Sequence, residues 1–190
     1  MDQLATLQYS LDELRAVVAS LDDAEMDTAT NCEPWTVRRL ASHALNNQLV
    51  WAGLVTGQEL ASVDDTMSAV PIDGDLAPVA DQIVERTMPL WRSDGVLDAT
   101  HATPFGEVPG AVVINFATVD AIMHAWDLSA SVGRPIDFSP EALPAISAVV
   151  EATCTDEVRA GGLIQSATEP TADASATERL VAAAGRSPRG

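Results

Sequence analysis

The stretch VVINFATVDAIMHAWDL, Val112 to Leu128, is almost wholly apolar, yet Asp120, His124 and Asp127 interrupt it at i, i+4 and i+7. At roughly 100° per residue these three side chains share one face of a helix whose other faces are apolar. A helix of that kind is buried, so the stripe carries titratable groups inward. Left unpaired there, each would cost on the order of several kcal/mol. Two arrangements compensate such a cost: a hydrogen-bonded structural cluster, or a metal ion.

Outward from this run, the helix is predicted over Gly110 to about Ser131 and stops at Val132-Gly133-Arg134-Pro135, a Gly followed by Pro. Toward the N-terminus, Leu4, Leu7, Leu11, Leu14 and Val18 recur at helical spacing and predict an amphipathic first helix over Leu4 to Leu21. A turn follows at Asn31-Cys-Glu-Pro-Trp-Thr36, and Thr36 is placed to cap a second helix that runs to Val55 and ends at Gly57. Its apolar stripe is Val37, Leu40, Ala44, Trp51 and Leu54. Residues 61–81 hold five Asp with Pro71, Gly74 and Pro78, and most of them are expected in a solvated loop. A third helix is predicted over Leu76 to Trp91, with Val79, Ile83, Met88 and Leu90 or Trp91 inward. Ser93 to Gly110 suits a short hairpin anchored by Phe105 and Val108. A fifth helix is expected from Ser139 to about Val158, with Pro140 at its first position. Beyond Gly161 the chain turns small and polar, and Thr177 to Ala184 reads as a short last helix. The pattern is all-α: a four-helix bundle over residues 1–160 with an extra helix, followed by a small polar extension over residues 161–190.

Composition narrows the function. A chain of 190 residues suits one domain with a substantial core. The net charge of −18 argues against nucleic acid or an anionic membrane as partner, since neither meets a basic patch here. No run approaches 18 consecutive apolar residues, and the first residues read as an amphipathic helix rather than a signal peptide, so a cytoplasmic protein is expected. Cys32 and Cys154 follow no CxxC spacing and are expected to stay unpaired. All ten basic residues are Arg, a usage that suggests a GC-rich genome.

Three histidines are available for chemistry: His43, His101 and His124. His43 lies three residues after Leu40 and four before Asn47, toward the bundle interior. If the second and fourth helices are neighbours, His43 faces Asp120 and His124, and two nitrogens with one oxygen form an open metal site. The alternative is an Asp120–His124 structural pair, and the spacing leaves both standing. Asp127 reads as a support that orients a ligand, or as a polar edge residue. His101 sits in a polar loop where exposure explains it. Arg38 and Arg39 are expected in solvent, and the four tryptophans in the core. No glycine-rich phosphate loop, G-x-S-x-G turn or HExxH motif is present.

The segments Cys32-Glu-Pro-Trp35-Thr-Val37-Arg-Arg-Leu40-Ala-Ser-His43 and Asp120-Ala-Ile-Met-His124-Ala-Trp126-Asp127-Leu128, with the ending Ala-Ser-Ala-Thr-Glu-Arg179-Leu180-Val-Ala-Ala-Ala-Gly185-Arg186, resemble the mycothiol-dependent maleylpyruvate isomerase family. The likeness is closest to its actinobacterial metal-binding branch, within the DinB-like four-helix superfamily. The resemblance implies a divalent metal, commonly zinc, held by His43, Asp120 and His124. In the isomerase the carboxylate is Glu, one methylene longer than Asp120, and the turn reads Cys-Pro-x-Trp where Glu33 precedes Pro34 here. It further implies mycothiol as co-substrate and a small electrophile as substrate, the metal favouring the thiolate. The expected activity is an S-transferase or isomerase, with a homodimer left open. The rival is a metal-binding bundle without catalysis, acting in sensing, sequestration or assembly.

Overall fold

Residues 1–103, 106–162 and 164–187 are described by the computed structural model. Their helices are α1 (Gln3–Ser20), α2 (Val37–Thr56), α3 (Val63–Met67), α4 (Ala77–Trp91), α5 (Gly110–Ser131), α6 (Leu143–Thr153), α7 (Asp156–Ala160) and α8 (Ala176–Ala183). Two short strands, β1 (Thr100–Thr103) and β2 (Gly106–Pro109), pair antiparallel with His101 opposite Val108. The fold is the expected helical bundle with a hairpin. Phe105, the other expected anchor, lies outside the described residues, and Val108 is half-buried.

α1 and α2 each pack against both α4 and α5. This puts α5 beside α2, the adjacency that His43 needs to meet Asp120. The apolar circumference of α5 is used on two sides. Val113, Ile114, Ala117, Ala121, Ala125 and Leu128 enter the bundle core with Leu7, Leu11, Leu40, Leu45 and Trp91. Val119, Ile122, Met123 and Trp126 enter a second core with Phe138, Ile146, Val150, Leu180 and Val181 from α6, α8 and the preceding loop. Alanines at 117, 121 and 125 keep the bundle side of α5 slim, which lets its neighbours approach closely. By length and composition α5 could cross a membrane, but 67% of its most apolar window is buried inside this fold.

Four expectations change in detail. Thr36 makes no side-chain cap; the first amides of α2 are taken by carbonyls of the preceding segment, Val37 N–H to Thr28 O at 2.9 Å and Arg38 N–H to Met26 O at 3.0 Å. The segment 61–81, expected mostly as loop, also holds the short α3, because Ser62 caps Asp65 N–H at 3.2 Å and Asp64 and Asp65 favour the N-terminus of that helix. The expected fifth helix is two. Residues 139–142 form a turn on the Ser139 carbonyl, α6 starts at Leu143-Pro144, and Thr155 turns extended to cap α7. On α2, Trp51 and Leu54 are half-buried and leave the core to Leu45, Leu49 and Ala52.

Gly110 marks where the hairpin meets α5. A Cβ there would lie 2.0 Å from the Val96 carbonyl oxygen and 3.0 Å from His101 Nε2. Gly110→Ala is therefore expected to lower stability by about 1–3 kcal/mol, the usual cost of overpacking. Chemical denaturation would show it as a lower midpoint at unchanged slope; an unchanged midpoint would mean that the hairpin yields freely.

Candidate metal centre

Two helices and two irregular segments converge on the polar stripe of α5. His43, on the second turn of α2, gives its Nδ1–H to the Thr66 carbonyl on α3 at 2.8 Å. A carbonyl only accepts, so the proton sits on Nδ1 and the Nε2 lone pair faces α5. Asp120 Oδ1 lies 3.9 Å from His43 Nε2 and 3.5 Å from His124 Nε2. One ligand atom from each of His43, Asp120 and His124 falls within 4.8 Å of the other two. Asp120 is oriented by two amides from the facing helix: Asn47 Nδ2 donates to Oδ1 at 2.8 Å and Gln48 Nε2 to Oδ2 at 2.9 Å.

Behind His124 stands Asp127, which has no exposed side-chain surface. Its Oδ2 meets His124 Nδ1 at 3.0 Å, so the second histidine also directs Nε2 at Asp120. Asn31 Nδ2 donates to Asp127 Oδ1 at 2.8 Å, and Arg186 binds both oxygens, Nη2 to Oδ2 at 2.8 Å and Nε to Oδ1 at 3.2 Å. Cys32 Sγ is 3.5 Å from Oδ2. The turn at 31–36 reaches this position because Thr30 folds back on Trp35, donating its N–H and hydroxyl to the Trp35 carbonyl at 3.1 and 2.8 Å. That places the Trp35 ring 4.6 Å from His43.

The environment separates the two imidazoles. Burial lowers the pKa of His43; the Asp120 charge opposes this without overcoming it, so the ring is neutral and a ready donor. Burial also works against a charge on His124, but its hydrogen bond to Asp127, with Cys32 and Asp120 adding to it, holds that ring up to about 10. Asp127 lies well below the usual carboxylate range: burial acts against it, and the Arg186 charge prevails.

His43, Asp120 and His124 thus stand together as expected, with Asp127 behind them. His101 is not exposed but half-buried, its Nε2 2.8 Å from the Val96 carbonyl, a hairpin contact. Arg38 and Arg39 tie down the 61–81 segment through the carbonyls of Ile72, Gly74 and Ser68 at 2.9, 3.0 and 2.7 Å. Trp91 and Trp126 are core, whereas Trp35 and Trp51 belong to the site. Sequence reasoning passed over Asn47, Gln48, Asn31 and Arg186. Asn47 and Gln48 had a signal, since they lie four and five residues after His43 on the same helix; Arg186 had none in spacing. The triad opens into a cavity of about 300 Å³ walled by Trp51, Leu54, Phe116, Val119 and Ile164.

A helical bundle whose central helix and neighbour converge two histidines and a carboxylate on a cavity is the class these features define. The model of the mycothiol maleylpyruvate isomerase N-terminal domain matches residues 7–129, and the chain belongs to that family. Two Mycobacterium tuberculosis proteins, uncharacterized protein Rv0738 of strain H37Rv and uncharacterized protein MT0763 of strain CDC 1551, are each 32% identical over 142 residues, 74% of this chain and 73% of theirs. A crystal structure of a mycothiol-dependent maleylpyruvate isomerase shares the fold with a TM-score of 0.65 at 20% identity, covering 86% of this chain and 72% of that one. The family segment contains His43, Asp120, His124 and Asp127 but stops short of Arg186.

Removing the cation tests the inner pair. Arg186→Gln leaves Asp127 buried without its main charge partner and is expected to cost about 3–5 kcal/mol, read as a fall in Tm. Stability against pH is a separate test in metal-free protein. A histidine raised from 6.5 to about 10 stabilises fully below pH 6.5, and its contribution is lost as pH rises toward 10. Asp127, lowered from 3.8, stabilises above that value and loses its contribution as pH falls through its shifted one. Tm should therefore decline between pH 6.5 and 10, and a steady rise over that window would contradict the His124 assignment.

Proposed function

We propose that the chain is a divalent-metal-dependent S-transferase or isomerase that uses mycothiol as co-substrate and acts on a small electrophile. The observation that carries this reading is the convergence of His43 Nε2, Asp120 and His124 Nε2, each oriented by a second group, on a cavity with apolar walls. Ligands held about 2.0–2.2 Å from one ion at tetrahedral angles lie roughly 3.3–3.5 Å from each other. The 3.5 and 3.9 Å from Asp120 to the two nitrogens are close to that, which supports a place for the shorter Asp side chain in the ligand set. Two nitrogens and one oxygen suit zinc and leave a coordination position open.

A divalent ion supplies positive charge that keeps a thiol ionised near neutral pH. The chain supplies the rest. Thr66 fixes the tautomer of His43, Asp127 keeps the Nδ1 proton of His124 so that Nε2 is the nitrogen that would give up its proton to an ion, and Asn47 and Gln48 hold the carboxylate in register. The apolar wall excludes water from the sulfur and its target, which strengthens electrostatic interactions there. The cavity favours catalysis over storage, because holding an ion alone requires no chamber of about 300 Å³ beside it.

Elemental analysis of purified protein is expected to show about one divalent ion per chain. His43→Ala and His124→Ala should each remove it, and full occupancy in either variant would move the ligand set elsewhere. With metal bound, mycothiol and a panel of electrophiles should give thioether or isomerised product by mass spectrometry. Stoichiometric metal with no turnover across the panel would leave a metal-binding protein.

A further inference from the structure

The cavity also bears on which electrophile it takes. Among its described lining residues Trp51, Leu54, Met67, Phe116, Val119 and Ile164 present apolar surface. The rings of Trp51 and Phe116 are stacked, 5.7 Å apart at 21°, and form an aromatic stretch of wall. Asn47, Thr66 and Arg186 of the lining are already engaged, and the one unpartnered donor of the described wall, Trp51 Nε1, is buried and offers no accessible surface to a ligand. Asn47 is on Asp120, and the Thr66 hydroxyl donates to the Ser62 carbonyl at 2.7 Å. Apart from His124 of the triad, Arg186 is the cation among the described lining residues, and its Nε and Nη2 are on Asp127 while Nη1 donates to the Ala184 carbonyl at 2.9 Å. Its charge is matched by a carboxylate 2.8 Å away.

A carboxylate set against this wall would give up its water without gaining an accessible donor, since the Trp51 N–H is itself covered. A flat apolar group would gain from the same contact. The site therefore has room for one polar terminus at His43, Asp120 and His124 and, away from them, an apolar body along Trp51 and Phe116.

We propose that the substrate is an uncharged, planar electrophile with an aromatic or alkyl body, of the aryl enone class, rather than a small dicarboxylate; this rests on the reading that the cavity is the substrate site. Thiol addition to such a compound balances without a further reactant. Sulfur bonds to the β-carbon, the alkene π pair shifts to the α-carbon, and the thiol proton ends there.

Calorimetric titration of the zinc-loaded 190-residue chain with benzylideneacetone and with maleate tests this. The enone is expected to bind at least about tenfold more tightly. Trp51→Ala and Phe116→Ala should each weaken enone binding about fivefold or more and leave maleate unchanged. Because either truncation could disturb folding, Leu54→Arg provides a second arm: an added cation on a half-buried stretch of wall should shift preference toward maleate. Equal affinities, or preference for maleate in the unaltered protein, overturn the proposal, as does enone binding indifferent to all three substitutions. Enone preference in a protein that holds no zinc would end the metal-dependent reading and leave this one standing. Stoichiometric zinc with maleate preferred would do the reverse.

Discussion

Everything around the triad depends on a carboxylate shut away from water. Asp127 has no exposed side-chain surface, and a buried charge is tolerated only where donors replace its hydration. Asn31, His124 and Arg186 supply them from three remote parts of the chain: the turn before α2, the central helix and the segment after α8. A shift of any one of these parts takes a donor from Asp127. The orientation of His124, and with it the direction of Nε2, is one output of this cluster. The lowered carboxyl and the raised imidazole are the electrostatic record of the same packing.

α5 combines two roles that usually compete. Its apolar residues serve two cores, and its single polar stripe faces the cavity and α2. Rigid burial on both sides is what a ligand set requires, because supporting packing fixes the side-chain rotamers. The site thus gains precision from the same residues that hold the fold together.

The sequence made this helix legible because its pattern has one exception to hydrophobicity, and that exception repeats with helical period. The neighbouring stripe of α2 placed His43 inward for the same reason. Periodicity is less informative where local hydrogen bonds compete with it. Ser139 and Pro144 delay α6, Thr155 breaks the run before α7, and Ser62 starts α3 inside an acidic stretch that reads as loop. Arg186 shows a different limit. A contact across 59 residues from a small, polar ending leaves no trace in spacing, and Asp127 was equally readable as an edge residue until its partners were visible. Trp51 and Trp91 make the same point for packing: both sit on helices at apolar positions, yet one lines the cavity and the other lies in the core.

The tie between Arg186 and Asp127 also sets an order of events during synthesis. All four long helices leave the ribosome before residue 186 does, so the bundle has its apolar surfaces available while Asp127 still lacks its cation. Until residue 186 emerges, collapse around α5 has to leave that carboxylate hydrated or hold it with Asn31 and His124 alone. The inner wall of the site is consequently finished last, by a guanidinium added after the core that surrounds it, and a nascent chain halted before that point would carry the triad residues without the clamp that aligns them.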